Sequence, residues 1–232
     1  MDWPDYTHFS ELFPSIVADS RQHLPEFPSD QPVWSLLDPN FDHNLKKQLE
    51  KLIGAIEFDQ VDLANYHCTK DETNGKVVIH PEALLAPFCH FVGPCFIGKG
   101  AQIRHGAYIR EHSWICEDSV VGHSSEIKHS VLLPKAKAPH FNYVGDSILG
   151  SYTNLGAGTK LSNLRNDGGT VNIRINDRKI SSGLRKFGAI LGENCQLGCN
   201  SVTNPGTILG IGSSVLPNVT VTGCHGKNSQ LG

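Results

Sequence analysis

The sequence has little of what marks several large classes of protein. Charged residues make up only 19% of the 232 residues, and 20 basic against 23 acidic side chains leave a net charge of −3. That balance provides no basic surface for nucleic acid or for an anionic membrane. No run of 18 apolar residues occurs, and residues 1–5 lack the basic-then-apolar pattern of a secretory signal. We therefore expect no membrane span, no nucleic-acid partner and no secretion.

Cysteine is also used sparingly. The seven cysteines are an odd number and contain no CxxC pair, which argues against a disulfide framework or a zinc knuckle. We interpret them as reduced thiols of a cytosolic protein. What the chain does have is 23 glycines and 13 prolines, a composition typical of a turn-rich globular protein.

The most informative pattern is an apolar residue at every sixth position. The first run of this pattern contains Ile79, Leu85, Phe91, Ile97, Ile103, Ile109, Ile115, Val121, Ile127 and Leu133. Mostly small residues follow four positions after each, from Ala83 to Val131, and the pattern returns at 149–161 and 191–221. A period of six fits neither a helix nor an alternating strand. It predicts a triangular solenoid with 18-residue coils, about six in all, whose short strands stack in parallel.

Residues 1–60 have a different texture, with two tryptophans and many prolines. Apolar residues at three- and four-residue steps predict one amphipathic helix over Asp42–Phe58, with Asp42 as its N-cap. We expect this region to pack on the rest of the chain, capping an exposed end. Residues 61–76 are polar and are predicted to be a linker, which divides the chain into an extension (1–76) and a solenoid domain (77–232).

Two stretches interrupt the six-residue count. The first is Pro134–Asn142, an Ala/Pro-rich bend that contains His140. The second is 164–185, where Asp167-Gly168-Gly169 marks a turn and the β-prone runs Thr170–Ile175 and Arg178–Ile180 predict a projecting hairpin. In a solenoid, such excursions are where binding and catalytic residues are usually carried.

Residues 139–150 (PHFNYVGDSILG), residues 154–159 (NLGAGT) and Asn163 resemble the acetyltransferase domain of bifunctional N-acetylglucosamine-1-phosphate uridyltransferases. Residues 185–192 (RKFGAILG) resemble the archaeal sugar-1-phosphate nucleotidylyltransferase/acetyltransferase branch more closely. The resemblance covers about 77–224. It implies an all-β, left-handed parallel β-helix of hexapeptide repeats that forms a homotrimer and uses acetyl-CoA. Nothing in 1–76 resembles the Gly-rich loop of the family's nucleotidyltransferase domain, so uridylyl transfer is not expected.

The resemblance also implies roles for particular residues. His140 matches the catalytic base, and Asn163 matches an asparagine lining the acceptor and thioester region. Tyr143 and Asn154 match sugar contacts of the family. Arg110 and Lys128 match the cations that bind the acceptor's phosphate. The coenzyme A contacts are matched by Ala157, Cys199 and Pro217. The repeat independently puts Arg110 and Lys128 on the same face in successive coils, whose strands are about 4.8 Å apart. Two such cations suit a phosphate.

One departure from the family pattern concerns lysines. The family has lysines where this chain has Gly169 and Asn172. Arg165, Arg174 or Lys186 from the hairpin region are the available substitutes, and the sequence does not choose among them.

The resulting expectation is a cytosolic N-acetyltransferase acting on a hexosamine 1-phosphate, most simply glucosamine-1-phosphate, in UDP-N-acetylglucosamine synthesis. The amine must be neutral to attack the thioester, and a histidine can take its proton. Two alternatives stay open: a non-catalytic sugar-phosphate-binding partner of a separate uridyltransferase, and an acetyltransferase for a nucleotide-linked amino sugar. An acyl-cysteine route through Cys199 has no support.

The histidines of the solenoid, His105, His112, His123 and His129 among them, raise the question of a metal site. Zinc sites of γ-class carbonic anhydrases have a histidine, a second some 35 residues later and a third five after that. His105 and His140 fit the first spacing, but position 145 is Gly145, so no metal is expected.

Overall fold

The computed structural model describes residues 4, 7–17, 21–58, 61–175 and 178–232. Over these residues the chain forms a left-handed parallel β-helix with three walls of eight strands each, and one separate two-stranded hairpin. We call the walls A, B and C in the order in which each coil visits them. The predicted fold class is confirmed.

Wall A contains the strands β1 (Thr69–Asp71), β4 (His90–Val92), β7 (Tyr108–Ile109), β10 (Glu126–Lys128), β13 (Tyr143–Gly145), β16 (Lys160–Leu161), β21 (Val202–Thr203) and β24 (Thr220–Val221). Wall B contains β2 (Val77–Ile79), β5 (Cys95–Ile97), β8 (Ser113–Ile115), β11 (Val131–Leu132), β14 (Ile148–Leu149), β19 (Ala189–Leu191), β22 (Thr207–Leu209) and β25 (Cys224–His225). Wall C contains β3 (Leu84–Leu85), β6 (Gln102–Ile103), β9 (Val120–His123), β12 (Lys137–His140), β15 (Asn154–Leu155), β20 (Gln196–Leu197), β23 (Ser214–Val215) and β26 (Gln230–Leu231).

The structure explains the six-residue pattern as predicted: the apolar residues of the pattern point into the prism and stack on their counterparts in the next coil. Residues one coil apart pair directly, as Ile79 does with Ile97 and Ile97 with Ile115. Their side chains fill one continuous, buried column inside the prism. Many of the corners turn through a residue with positive φ, such as His112, Ser124 and Lys135, a conformation that most side chains avoid.

The count of six slips at two successive corners between walls A and B, and the first predicted excursion is wrong because of the first slip. The inward residue after Ile127 is Leu132, whereas Leu133 belongs to a second apolar cluster outside the prism. Ile109 and Ile115, one coil earlier, are six residues apart, whereas Ile127 and Leu132 are five apart, and so are Val144 and Leu149. The later pattern is therefore shifted by one residue at each of these two corners. Pro134–Asn142 is therefore no bend away from the coil: it contains β12, which pairs with β9 and β15.

The helix also has more coils than the roughly six that were predicted. Thr69–Asp71 lies in the predicted linker but pairs with β4 as a strand of wall A. At the other end, β25 and β26 add strands to walls B and C. Both segments lack the aliphatic period, because the end coils cover less core. The two-domain division at residue 76 stays a prediction.

The extension is helical in short pieces. It contains α1 (Phe9–Leu12), α2 (Pro14–Val17), α3 (Leu45–Ala55) and 3₁₀ helices at Val33–Leu37 and Leu63–Tyr66. The predicted amphipathic helix is confirmed as α3, which is shorter than the 42–58 expected. Its cap is Asn44 and not Asp42: the Asn44 side chain accepts a hydrogen bond from the Lys47 amide at 3.0 Å.

The extension packs along the outside of wall B, so the expectation that it caps an end is wrong. Wall B presents apolar side chains outward as well as inward, among them Phe96, Trp114 and Ile148. The extension buries these with Trp34, Leu49 and others. Hydrogen bonds also join the layers: Trp114 Nε1 donates to the His23 carbonyl at 3.0 Å, and Ser15 Oγ donates to Glu193 Oε1 at 2.6 Å. A wall that is apolar on both faces needs a cover along its length.

The predicted hairpin is confirmed as β17 (Asn172–Ile175) and β18 (Arg178–Ser181), which pair antiparallel. Its inner face, including Ile173 and Ile175, joins the apolar cluster outside wall B. Among the described residues, no helix has the length and apolar character needed to cross a bilayer.

Candidate functional site

The corner between walls C and A carries four of the residues singled out from the sequence. We call it the CA column, and its members in successive coils are Pro87, His105, His123, His140, Ala157, Cys199 and Pro217. Each carbonyl accepts a hydrogen bond from an amide in the next coil: His140 from Gly158 at 2.9 Å, Ala157 from Asn200 at 2.8 Å and Cys199 from Asn218 at 2.9 Å. The predicted base therefore stands directly above the three predicted coenzyme A contacts.

His140 is exposed at the end of β12. Its backbone amide donates to Asn142 Oδ1 at 3.0 Å, which fixes the turn into wall A. Within the described residues, its imidazole makes no hydrogen bond, so both ring nitrogens are available to a ligand. Cys199 in the same column is exposed. By contrast, burial raises the pKa of the Cys195 thiol to about 12, so that cysteine is not a nucleophile.

Above His140 the CA column is aromatic. The rings of His105 and His123 stack with centroids 5.3 Å apart, and His123 meets Phe141 edge-on at 4.9 Å. In the part of the chain that the structure describes, no group of three or more histidine, cysteine or acidic side chains is arranged to hold a metal ion.

Arg110 and Lys128 lie on the outer face of wall A, one coil apart, as their spacing predicts. Their environment is less simple. Arg110 contacts Glu126 at 2.9 Å and Glu111 at 3.5 Å, and Lys128 lies 3.6 Å from Glu111. Burial would lower the pKa of Arg110, but the hydrogen bond to Glu126 and the two carboxylates raise it overall. Arg110 is thus already neutralised, and Lys128 only partly.

Below Lys128, the corner between walls A and B contains a buried carboxylate with two partners. Asp146 Oδ1 lies 2.8 Å from His129 Nδ1, and Asp146 Oδ2 accepts from Asn163 Nδ2 at 2.5 Å. Burial alone would raise the pKa of Asp146, but His129, Asn163 and Lys128 lower it overall. Asp146 therefore stays ionised and holds Asn163 in place.

Tyr143 completes this cluster on wall A. Its hydroxyl reaches back toward Asn163, and Gly145 leaves room for both: a Cβ at Gly145 would lie 2.6 Å from the Tyr143 hydroxyl and 2.7 Å from Asn163 Nδ2. Burial and the nearby Glu126 and Asp146 charges raise the pKa of Tyr143, so it remains a neutral donor. We call Arg110, Lys128, Tyr143, Asp146 and Asn163 the wall A cluster.

Lys186 joins the wall A cluster from beyond the hairpin. Leu164 and Lys186 form a β-bridge, and the Phe187 amide donates to the Asn163 carbonyl at 2.9 Å. This closure brings the Lys186 ammonium against Lys128, whose charge and contact, together with burial, lower the pKa of Lys186. Of the three basic residues named as substitutes for the missing family lysines, Lys186 is the one beside Lys128.

The extension borders the same place. A cavity of about 280 Å³ separates Pro39, Asn44 and Lys46 of the extension from Lys128 and His129. His112 also lines it, and burial together with the neighbouring His129 and Lys46 charges lowers the pKa of His112 to about 4. The residues before the solenoid therefore contribute to the surroundings of the wall A cluster, which the sequence did not indicate.

Within the chain, Asn154 does not lie beside Tyr143, and Asn163 does not lie beside His140. Asn154 lies on wall C, where it pairs with Lys137 and Gln196, a different wall from Tyr143. Asn163 lies at the end of wall A and His140 at its beginning, so Asn163 does not reach the base. A coil visits all three walls within 18 residues, so closeness in sequence does not mean a shared face.

Sequence reasoning missed His129 and Asp146 as site residues. The sequence suggests His129 only as a metal ligand, and it leaves Asp146 unassigned inside the motif at 139–150. The signal for both is their one-coil spacing of 17 residues, which is visible only after the shortened corner is known.

Comparison with known proteins identifies relatives of this chain. The curated bifunctional sugar-1-phosphate nucleotidylyltransferase/acetyltransferase of Sulfurisphaera tokodaii is 39% identical over 92 residues, 40% of this chain and 23% of that protein. A bifunctional protein GlmU of Methanococcus maripaludis is 34% identical over 188 residues, 81% of this chain and 43% of that protein. The chain thus spans less than half the length of these relatives. The resemblance predicted from the motifs is confirmed.

A solved structure, the acetyltransferase domain of PglB from Neisseria gonorrhoeae in complex with acetyl coenzyme A, is 15% identical, with 66% of this chain and 52% of that chain covered at a TM-score of 0.34. That likeness is too distant to bear on the site. The model of the GMPPB C-terminal domain matches residues 91–226, which is more than half of the chain and most of the β-helix. On that match, the chain belongs to the GMPPB C-terminal domain family.

Proposed function

We propose that this protein is an N-acetyltransferase that moves the acetyl group of acetyl-CoA to the amine of a hexosamine 1-phosphate, most simply glucosamine-1-phosphate. The observation that carries the proposal is the CA column, in which His140 stands directly above Ala157, Cys199 and Pro217 and one short strand away from the wall A cluster. Relatives named as acetyltransferases support the same reaction.

The donor fits along the lower part of the CA column. Small or ring-closed side chains at Ala157, Cys199 and Pro217 leave the corner backbone open to an extended pantetheine arm. His140 at the top would then meet the thioester. Backbone N–H groups of the corner are the available donors for the carbonyl oxygen.

The acceptor fits on wall A. Lys128 and Lys186 place two ammonium groups side by side, an arrangement that suits a phosphate held by two cations. Tyr143 and Asn163 offer a hydroxyl and an amide to the sugar. Asn154, on wall C, is proposed as a sugar contact only through a neighbouring copy, consistent with a homotrimer in which sites lie between chains.

The proposed reaction is direct. The His140 imidazole accepts a proton from the amine as its nitrogen bonds to the acetyl carbonyl carbon. The C–S bond then breaks, and the imidazolium returns the proton to the departing thiolate. The products are the N-acetylated sugar phosphate and free CoA, with no covalent intermediate on Cys199.

The test is release of free thiol from acetyl-CoA with a panel of amino sugars, with and without a 1-phosphate. We expect turnover only with 1-phosphates, and His140→Ala should reduce it by about a hundredfold or more. His105→Ala, two coils above in the same column, is the matched control and should stay within about twofold.

Unchanged turnover in His140→Ala would reject the base assignment. Sugar-phosphate binding without any thiol release would favour the non-catalytic partner of a separate uridyltransferase.

A further inference from the structure

A second basic surface lies below the wall A cluster. An open groove of about 680 Å³ lies between the hairpin and the last coils of wall A. Its volume is within the range of small-molecule sites. We call it the hairpin groove. Its polar lining includes Ser162, Asn172, Arg174, Lys179, Asn204 and Thr222.

The groove is held open by packing on the other face of the hairpin. Ile173 and Ile175 are buried against the outside of the coil. Two close approaches fix the hairpin on the coil: a Cβ at Gly206 would lie 2.8 Å from Val171, and a Cβ at Gly223 would lie 3.3 Å from the Arg174 Cβ. The groove is therefore built into the fold and does not need a ligand to form.

Two positive charges in the hairpin groove repel each other when no ligand is bound. Arg174 and Lys179 are direct cross-strand partners, so their side chains share one face, and like charges placed directly opposite destabilise a hairpin. Asp167, the carboxylate lining the groove, is held by Arg165 at 2.9 and 2.5 Å. Within the described ranges, neither Arg174 nor Lys179 has an ion-pair partner. A polyanion would remove this repulsion.

The groove continues from the proposed acceptor site. Ser162 precedes Asn163 of the wall A cluster, and Asn204 and Thr222 follow in the next two coils, about 10 Å down the wall. The lining contains no aromatic side chain among the described residues, so it offers phosphate contacts and no platform on which a base stacks.

We propose that the hairpin groove binds the diphosphate of a nucleotide-bearing substrate. The inference rests on the proposed acetyl transfer, which supplies two sources of that chemistry: the CoA donor itself, and a nucleotide-linked amino sugar as acceptor. Arg174 and Lys179 provide the charge, and Asn172 and Ser162 provide neutral hydrogen bonds.

The test is calorimetric titration of the full chain with CoA and, separately, with UDP, at 50 and 500 mM salt. The variant is Arg174→Ser with Lys179→Ser, which keeps both Cβ atoms. Arg178→Ser is the matched control, because Arg178 pairs with Ile175 on the opposite face of the same hairpin. We expect the double variant to bind at least one probe about tenfold or more weakly, and the control to change less than twofold.

The two arms identify the source. A loss for CoA assigns the groove to the donor, and a loss for UDP assigns it to a nucleotide-linked acceptor. The proposal would be overturned if the double variant and the Arg178→Ser control lost the same affinity, or if the double variant lost affinity for neither probe. Failure of the wild type to bind either probe would also overturn it. A thermal melt checks folding; if the serine variant unfolds early, Arg174→Gln with Lys179→Gln repeats the titration.

Binding is measured without turnover, so a failure of the acetyl transfer reaction would not be mistaken for a failure of the groove.

Discussion

At the scale of residues, Lys128 and Lys186 are the basis of the proposed preference for a phosphorylated acceptor. Their ammonium groups are in contact, and Glu111 is the carboxylate nearest to Lys128. In the proposed reaction, a phosphate bound by both ammonium groups relieves their mutual repulsion, so acceptors that carry a phosphate are favoured over those that do not. Under the proposed function, Lys186, which comes from the far end of the hairpin, takes the place of the family lysines absent at Gly169 and Asn172.

We predict that Lys186→Gln raises the KM for the sugar phosphate about tenfold, with kcat changed less than threefold, because the charge serves binding and not the proton transfer. Lys227→Gln, which removes an exposed charge in the last coil, should leave both constants unchanged. Lys186→Arg should restore most of the affinity. The measurement is steady-state kinetics with varied acceptor at saturating acetyl-CoA.

A fall in kcat with unchanged KM in Lys186→Gln would instead place Lys186 in the chemical step and contradict a role in phosphate binding.

At the scale of elements, the extension behaves as part of the core of the molecule. Helix α3 has Leu45, Leu49 and Ile53 on its buried face, and they pack in the same cluster as the outward side chains of wall B. Trp34 stacks near Phe187, with centroids 6.1 Å apart. Phe187 follows Lys186 directly, so the extension also supports the segment that positions this lysine.

We predict that Leu49→Ala lowers the free energy of unfolding by about 2–4 kcal/mol, because it leaves a cavity between α3 and wall B. Lys51→Ala, on the exposed face of the same helix, should change it by less than about 0.5 kcal/mol. Urea unfolding followed by tryptophan fluorescence measures both. We expect one transition, and a separate early transition of the extension would contradict its place in a shared core.

At the scale of the whole molecule, the two uncovered walls determine how copies can meet. Wall B is occupied by the extension, which leaves walls A and C. The corner between them exposes Phe88 by 62% and Phe141 by 56%, both with φ above +50°. A large aromatic side chain in the left-handed region is strained, and its exposure adds to that cost. Contact with a neighbouring copy would bury both rings, Phe141 beside His140 and Phe88 three coils above it.

We predict that the protein in solution has about three times the mass of the 25.3 kDa chain by light scattering. Phe88→Asn combined with Phe141→Asn should give monomers, because asparagine accepts positive φ while the apolar contact is lost. Val17→Asn, at an exposed site of the extension, should leave the trimer intact.

A monomeric wild type would reject the assembly and, with it, the contribution of Asn154 from a neighbouring copy.

The period of six, the inward aliphatic column and the one-coil spacing of Arg110 and Lys128 follow from the sequence, because every coil repeats the same local environment. The amphipathic pattern of α3 and the hairpin strands are likewise local. Tertiary structure alone decided that the extension covers wall B, that Lys186 meets Lys128, and that the hairpin closes a groove against the last coils of wall A. These contacts join segments separated by insertions of irregular length or by a shortened corner, and a repeat count has no information about them. The slip after Ile127 is the clearest case: one missing corner residue moved Leu133 outside the prism and turned a predicted bend into the strand that carries His140.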